Sequence, residues 1–553
     1  MKIWIKKTLL TLLLLLVVLF ITLAIVLTNM DPDASYDKKH AITTDRTVTI
    51  VLIDGLSKEI FEQYINEGRL PQFKKLIDES IYVRNGIGAF PTMTGFAYYP
   101  FITGMKAPDS GIFGLRWFNR NLDYGNLRNY VGRTNIQMNN DISSQFKNLF
   151  ELNKEYYTAS INTYMNKGVH HSLKTGWAHT TAKYSKASLF PFLRVVPFIG
   201  RNISKDHFEH ESLVTDLAID QLKFNPKVQW ITYPSLDAHN HVHGTDDIYY
   251  DLLQHLDGEL NRLDQAIAAL DQKDRMVVVV SDHGILDVEV NVDVPAIIEK
   301  ELGLKIERGL STHLGTDQLK DPLSEFVRDD GYFVINGNLS AYIYMKDPEI
   351  EGAEAWRSPT EGKTLSHYPS KNGRVDLPTF VASIEGVELT TYNLSQDTLV
   401  VLHGTDRAFI TSDSIDYYSY HPLVGDPLLF GDILIPGISY HKDSLLIMTA
   451  DMDFPYSLVR LWELMQEENA PDIVLTTKAG YDIARNYEIF VENYKGGHGG
   501  IHKDLLSVPY IMKIPEIQGK MIHVARAEDI GATIFDYLQL NTTYSLTGRS
   551  LLE

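Results

Sequence analysis

Short, largely apolar runs recur along the chain and are typical of strands buried on both faces of a sheet. They lie at 48–53, 228–233, 276–280 and 508–512. Between the second and third runs, apolar side chains recur at every third or fourth position from Tyr249 to Leu270, which predicts one face of a long amphipathic helix. Because strands alternate with helices, the pattern predicts an α/β fold with a largely parallel sheet covered by helices on both faces.

Two long stretches, 109–224 and 287–471, fit this alternation poorly. The second is rich in Gly, Pro and Tyr and contains alternating segments such as Ser340–Tyr344. In parallel sheets, ligands bind beyond the carboxyl ends of the strands. We therefore expect the two stretches to be insertions that form a cap and shape a pocket there.

A longer apolar run, Leu9–Leu27, lies near the N-terminus and contains no charged residue. It is long enough to span a bilayer core of about 30 Å as a helix. Lysines precede the run and acidic residues follow it, which favours export of the rest of the chain. We expect an uncleaved transmembrane anchor within 1–30, a tether over 31–45 and a folded domain over 46–553 on the extracytoplasmic side. A cleaved signal peptide is the alternative.

The composition excludes several kinds of site. The chain has no cysteine, which excludes disulfides, thiolate zinc fingers, iron–sulfur clusters and cysteine nucleophiles. The formal net charge of −20 argues against a general binder of nucleic-acid polymers, because such proteins neutralise phosphates with clustered Lys and Arg. An anionic ligand would therefore have to be met by local cations, and bound metal ions would supply them.

Aspartate, histidine and threonine side chains collect in five short clusters. The clusters are Ile53–Gly55 with Asp54, Pro91–Gly95 with Thr92 and Thr94, Asp237–His241, Ser281–Gly284 with Asp282 and His283, and Gly496–Gly500 around His498. Oxygen and imidazole donors without thiolates are the set expected for zinc or a similar divalent ion. Each residue alone also has an ordinary interpretation, as a turn or cap residue or as a hydrogen-bonded histidine. Their joint order and spacing are what indicate a metal site.

Taken together, the clusters resemble the motifs of the alkaline phosphatase superfamily, and within it the type I phosphodiesterase/nucleotide pyrophosphatase family. The resemblance runs from Val48 to the end of the chain and includes Ala470–Val474, Gly480–Asp482 and Thr547–Leu551. It implies an alkaline-phosphatase-like fold and two divalent metal ions, which we expect to be Zn²⁺. By this resemblance, one ion is held by Asp237, His241 and His498, and the other by Asp54, Asp282, His283 and the oxygen of Thr94.

The resemblance also implies that Thr94 is the nucleophile, with Thr92 as its rival. Because a helix is predicted over Gly95–Thr103, we expect Thr94 to be its N-cap residue, so that the helix end receives the phosphoryl group. Attack by Thr94 would give a phosphothreonine intermediate, which water would then hydrolyse. Two metal ions about 4 Å apart can stabilise the attacking and the departing oxygen.

The chain departs from the family pattern beside the nucleophile. The family has a phosphate-holding asparagine three residues after it, whereas this chain has Ala97. Gly95 and Ala97 together place little side-chain bulk next to Thr94. This departure from the family pattern argues against a nucleotide substrate. Substitute donors are expected among Tyr98, Lys106, Arg116 and Lys495. Three histidines that border the motifs would orient a metal ligand, bind substrate or be ordinary surface residues: His239, His243 and His502.

The leading hypothesis is a metal-dependent phosphodiesterase or pyrophosphatase. A phosphate monoesterase or a head-group phosphotransferase would use the same site. A hypothesis of another class is a non-catalytic, membrane-tethered binding protein, which need not carry two bound metal ions. The expected partners are a phosphate-ester small molecule or lipid head group and, through the N-terminal helix, the membrane. The oligomeric state is left open.

Overall fold

The structure is a computed structural model that describes residues 6–8, 10–19, 46–121, 127–131, 135–173, 207–270, 274–308, 329–484, 493–515, 517 and 519–552. Within the apolar run Leu9–Leu27 of the expected anchor, residues 10–19 are helical and exposed. The other residues of this run, 9 and 20–27, lie outside the described ranges. Within the described ranges, no helix has the length and apolar character needed to cross a membrane.

The strands are numbered along the chain. The first twelve are β1 (Thr47–Ile53), β2 (Ile81–Ile87), β3 (Arg116–Phe118), β4 (Leu127–Asn129), β5 (Thr158–Ile161), β6 (His171–Leu173), β7 (Val228–Tyr233), β8 (Arg275–Val280), β9 (Leu286–Asn291), β10 (Ile306–Arg308), β11 (Gly331–Ile335) and β12 (Ser340–Met345). The others are β13 (Tyr368–Ser370), β14 (Gly373–Val375), β15 (Val387–Ser395), β16 (Thr398–His403), β17 (Asp406–Ser414), β18 (Tyr417–Val424), β19 (Ser439–His441), β20 (Ile473–Thr477), β21 (Gly480–Asp482), β22 (Gly496–Gly497), β23 (Ser507–Lys513) and β24 (Lys520–Arg526).

The α-helices beyond residue 46 are numbered in the same way. They are α1 (Lys58–Asn66), α2 (Pro71–Asp78), α3 (Tyr99–Thr103), α4 (Asn135–Asp141), α5 (Leu149–Leu152), α6 (His207–Leu222), α7 (Ser235–His243), α8 (Asp247–Ala268), α9 (Val294–Leu302), α10 (Gly362–Leu365), α11 (Leu377–Ala382), α12 (Lys442–Thr449), α13 (Ser457–Met465), α14 (Lys503–Leu506) and α15 (Ala527–Tyr537).

The main sheet has eight strands in the order β24-β2-β23-β8-β1-β7-β5-β6. Strand β1 is central and pairs in parallel with β7 and β8. Only β23 runs against its neighbours, since it pairs antiparallel with both β2 and β8. The largely parallel sheet predicted from the sequence is therefore confirmed.

Side chains that alternate along β1 enter two different cores, as the two-residue period of a strand requires. Val51 and Ile53 pack in a cluster with apolar residues of α1, α2, α6 and α8. Ile50 and Leu52 pack in the opposite cluster, which includes residues of α3 and α15 and of the second sheet. The sheet is therefore covered on both faces.

The predicted amphipathic helix is α8. Asp246 caps it, since its side chain accepts hydrogen bonds from the backbone N–H groups of Ile248 and Tyr249. The apolar stripe from Tyr249 to Ile267 is buried against the main sheet. Helix α2 begins at Pro71. Proline has no backbone N–H, but at the first position of a helix that group would have no intrahelical acceptor, so no hydrogen bond is lost.

A second sheet of nine strands has the order β10-β11-β12-β20-β15-β16-β17-β18-β19. Neighbouring strands in this sheet pair antiparallel, apart from β10 and β11, which pair in parallel. The stretch 287–471 supplies all of these strands except β20, so it forms most of the second sheet. The stretch 109–224 also contains β5, β6 and α6, and therefore contributes to the main sheet rather than only to an insertion.

A buried ion pair connects the hairpin β3–β4 region to the second sheet. Arg120 Nη2 lies 2.9 Å from Asp472 Oδ2, and both side chains are fully buried. The same carboxylate accepts hydrogen bonds from the backbone N–H groups of Met345 and Thr360, each at 2.6 Å. Asp472 therefore satisfies three donors that would otherwise be buried without an acceptor.

We expect Asp472→Ala to lower the free energy of unfolding by about 3–5 kcal/mol, because it leaves a buried guanidinium without its carboxylate. The matched control is Asp220→Ala, whose partner Lys223 is exposed; it should change stability by less than about 0.5 kcal/mol. Urea denaturation of the three proteins measures the difference. Equal midpoints for the two variants would contradict the structural role of Asp472.

Candidate metal centre

The clustered polar residues lie at the carboxyl ends of three neighbouring parallel strands. Asp54 directly follows β1, and Asp282 and His283 follow β8. Asp237 and His241 lie on α7, which begins just after β7. Because β7, β1 and β8 are adjacent and parallel, their carboxyl ends meet at one edge of the sheet.

The structure brings the predicted ligands into two groups, which we call the Asp237 group (Asp237, His241 and His498) and the Asp282 group (Asp54, Asp282 and His283). Within each group, one ligand atom from every residue lies within 4.8 Å of the others. In the Asp237 group, the carboxylate lies 3.3 Å from His241 Nε2 and 3.6 Å from His498 Nε2. In the Asp282 group, His283 Nε2 lies 3.4 Å from a carboxylate oxygen of both Asp54 and Asp282.

The two groups are in direct contact. The imidazole rings of His283 and His498 stack with their centroids 3.7 Å apart and an interplanar angle of 10°. The ring of His241 lies 5.1 Å from that of His498 on the other side. All six residues therefore form one continuous centre.

Backbone carbonyl groups set the orientation of all three imidazoles. His241 Nδ1 lies 3.1 Å from Gly496 O, His283 Nδ1 lies 3.0 Å from Gly284 O, and His498 Nδ1 lies 2.8 Å from Thr92 O. A carbonyl oxygen can only accept, so each Nδ1 carries the proton. In the neutral imidazole, Nε2 then carries the lone pair, which is the tautomer that binds a metal ion.

The electrostatics of the centre favour a bound cation. Burial, and next the charges of Asp282 and Asp237, raise the pKa of Asp54 well above its ordinary value. Burial lowers the pKa of His283 to about 4, so its imidazole is neutral and offers little compensation. Asp237 Oδ1 and Asp282 Oδ2 are buried and have no hydrogen-bond partner among the described residues. Oxygen and imidazole donors of this kind fit two divalent metal ions.

Thr94 lies at the Asp282 group. Its Oγ1 is 3.1 Å from His283 Nε2 and 3.4 Å from Asp54 Oδ1. The predicted N-cap role of Thr94 is wrong. Gly95, in a left-handed conformation with φ of 82°, precedes a short 3₁₀ turn, Phe96–Tyr98, that leads into α3. The hydroxyl of Thr94 is directed to the metal centre instead of the helix end.

Thr92, the alternative nucleophile, is occupied by the backbone. Its Oγ1 donates to Gly500 O at 2.8 Å and accepts from the N–H of Gly499 at 3.0 Å. With the bond between Thr92 O and His498 Nδ1, these contacts fix the glycine-rich loop around His498. The geometry favours a structural role for Thr92.

The second sheet holds the same loop from the other side, through a residue that the sequence analysis missed. Asn338, between β11 and β12, accepts a hydrogen bond from the N–H of His498 and donates one to Gly496 O, each at 3.2 Å. A Cβ atom on Gly497 would lie 1.7 Å from Asn338 Oδ1, so only glycine fits there. Nothing in the local sequence around Asn338 indicates this contact.

The other residues singled out in the sequence have varied positions. His239 is buried with Nε2 2.7 Å from Asp246 Oδ1, and the ring of His243 stacks on it. His502 caps α14. Among the expected substitute donors, Tyr98 is fully buried and Lys106 lies 3.9 Å from Asp109. Lys495 donates its backbone N–H to His241 O, and Arg116 is buried beside the second sheet, where its Nη1 donates to Ile335 O.

We expect Asn338→Ala to weaken metal binding by the Asp237 group about 10- to 100-fold, because His498 loses the contact that fixes its backbone. The control is Asn372→Ala, in an exposed turn between β13 and β14. Calorimetric titration of the metal-stripped proteins with Zn²⁺ provides the affinities. Equal affinities for both variants and the parent would contradict a positioning role for Asn338.

The fold is similar to those of several solved hydrolases. Murine ectonucleotide pyrophosphatase/phosphodiesterase 5, solved as an inactive variant in complex with AMP, is 12% identical, with a TM-score of 0.51 over 91% of this chain and 97% of that one. The human protein of the same name is 13% identical, with the same TM-score and coverage. Phosphonoacetate hydrolase from Sinorhizobium meliloti is 13% identical, with a TM-score of 0.50 over 90% of this chain and 97% of that one. At sequence identities this low, the similarity supports a shared fold and no more.

Sequence comparisons identify the family. No curated protein matches the chain. The family model "Type I phosphodiesterase / nucleotide pyrophosphatase" matches residues 48–359, which is more than half of the chain and includes every residue of the centre except His498. The chain therefore belongs to the type I phosphodiesterase/nucleotide pyrophosphatase family and is a phosphoric ester hydrolase.

Proposed function

We propose that this protein is a phosphodiesterase or pyrophosphatase that acts through a phosphothreonine intermediate on Thr94. The observation that carries this proposal is the place of the Thr94 hydroxyl, within 3.4 Å of both Asp54 and His283 in the Asp282 group. A threonine that merely capped a helix would direct this oxygen to backbone N–H groups.

The two groups are the proposed metal sites. Asp237, His241 and His498 would hold one divalent ion, and Asp54, Asp282, His283 and Thr94 Oγ1 the other. Zn²⁺ suits this set of imidazole and carboxylate donors. When bound, such a pair of ions supplies Lewis-acid stabilisation of the attacking and the departing oxygen.

The residues of the chain position the reaction. The Thr94 hydroxyl donates a hydrogen bond to Asp54 Oδ1, which directs the lone pairs of Oγ1 away from Asp54. A bond from Oγ1 to phosphorus forms as the bond to the first alcohol or phosphate breaks, and the leaving group takes up a proton. Water then releases the second product and restores the hydroxyl.

The substrate is proposed to be a small phosphate ester. The AMP complex of the murine relative supports a phosphate ester with one large substituent. Here, Gly95 and Ala97 border Thr94, so the substrate would not meet bulky side chains from these two positions. A nucleotide and a lipid head group both remain within this class.

We expect Thr94→Ala to lower kcat by at least about 10³-fold, because it removes the nucleophile. Thr94→Ser, which keeps a hydroxyl, should retain part of the activity. Bis-p-nitrophenyl phosphate should be a better substrate than p-nitrophenyl phosphate for the parent protein. The measurement is the steady-state rate with both esters, together with metal content.

Three outcomes of this assay would contradict the proposal in different ways. Full activity of Thr94→Ala would exclude Thr94 as nucleophile. A preference for p-nitrophenyl phosphate would indicate a monoesterase. Transfer of the phosphoryl group to an added alcohol in place of water would indicate a phosphotransferase.

We also propose that residues 1–30 anchor the protein in a membrane, with the domain from residue 46 onward on the extracytoplasmic side. The support is the uncharged run Leu9–Leu27 with lysines before it. The full chain should sediment with membranes and require detergent for extraction, whereas a chain that begins at Asp31 should be soluble and equally active. Recovery of a mature, soluble protein that starts beyond Asp31 would contradict an uncleaved anchor.

A further inference from the structure

Tyr164 lies at the same edge of the main sheet as the metal centre. It follows β5, which pairs in parallel with β7, the strand that leads to Asp237. Its backbone carbonyl accepts a hydrogen bond from Asn139 Nδ2 at 2.8 Å, and this contact fixes the segment after the strand. Its position is therefore set by the main sheet and by α4.

The ring of Tyr164 packs directly on the residue next to the proposed nucleophile. A Cβ atom on Gly95 would lie 3.1 Å from Tyr164 Cγ and 3.1 Å from Met138 Cε, and Gly95 has a φ of 82°. Glycine at this position therefore allows the tyrosine ring to approach the backbone beside Thr94. The ring of Tyr98 lies 6.1 Å away, edge to face.

The hydroxyl of Tyr164 is available to a ligand. It has no hydrogen-bond partner among the described residues. Burial raises the pKa of Tyr164 above its ordinary value, so the phenol keeps its proton and can donate.

We propose that Tyr164 donates a hydrogen bond to a non-bridging oxygen of the phosphoryl group that Thr94 attacks. This inference rests on the proposed function. The family's phosphate-holding asparagine is replaced here by Ala97, which has no side-chain donor. Four other candidates for this role remained from the sequence analysis, and the proposal assigns it to Tyr164 instead. Of these, Tyr98 is fully buried, Lys106 lies near Asp109, and Lys495 donates its backbone N–H to His241 O.

Arg116 has a supporting part in this arrangement. Its charge acts on the Tyr164 phenol and opposes the rise in the pKa. Asn336 holds the Arg116 backbone on both sides, since its Oδ1 accepts from the N–H at 3.2 Å and its Nδ2 donates to the carbonyl at 2.8 Å. A positive charge that acts on a phenol makes it a better donor to an anionic oxygen.

The test compares Tyr164→Phe with Tyr99→Phe in the full chain. Tyr99 also has a buried hydroxyl without a hydrogen-bond partner among the described residues, but the charges acting on it are those of Asp109, Tyr544 and Glu151 instead of the metal-ligand carboxylates. Tyr164→Phe should lower kcat/KM for bis-p-nitrophenyl phosphate by about 10²–10³-fold, the usual effect of removing one donor to a developing oxyanion. Tyr99→Phe should leave it unchanged.

Inhibition by orthovanadate supplies a readout that a purely structural role would not change. Tyr164→Phe should weaken inhibition by about the same factor as kcat/KM, while thermal unfolding and metal content stay those of the parent. Parent-like kinetics and vanadate inhibition in Tyr164→Phe would overturn the role of Tyr164 and leave the role of Thr94 intact. An inactive parent protein with both metals bound would overturn the proposed function and this inference together.

Discussion

The concentration of three carboxylates at one sheet edge, those of Asp54 and Asp282 buried and that of Asp237 partly buried, is the constraint on which the structure of the site depends. Asp54, Asp237 and Asp282 are brought together because β1, β7 and β8 are adjacent and parallel. Burial lowers the pKa values of His283 and His498, so these two imidazoles do not cancel this charge. Such an arrangement is unfavourable in a protein interior unless a cation compensates it. Metal binding would therefore stabilise the site as well as supply its chemistry.

The second sheet completes this centre instead of forming an independent layer. Asn336, Gly337 and Asn338 come from one short connection between β11 and β12. Asn338 fixes the loop that carries His498, and a Cβ atom on Gly337 would lie 2.3 Å from His498 O. Asn336 fixes the backbone of Arg116. One turn of the second sheet thus supports the proposed metal ligand His498 and the backbone of Arg116.

The sequence predicted the central strands, α8 and the proximity of the Asp and His residues, because these depend on local periodicity and on the common direction of parallel strands. It did not predict that β5 and β6 belong to the main sheet, since runs of four and three residues carry little pattern. The expected cap role of Thr94 failed because Gly95 takes the backbone conformation that begins the turn. The roles of Asn338 and Tyr164 depend on contacts between distant parts of the chain; Asn338 and His498 are 160 residues apart.

The most direct test of this account is anomalous scattering from crystals of the protein grown with Zn²⁺. The account predicts two ions, one bound by Asp237, His241 and His498 and the other by Asp54, Asp282 and His283, with Thr94 Oγ1 beside the second. Crystals in which neither group binds an ion, with the carboxylates paired through shared protons, would contradict it.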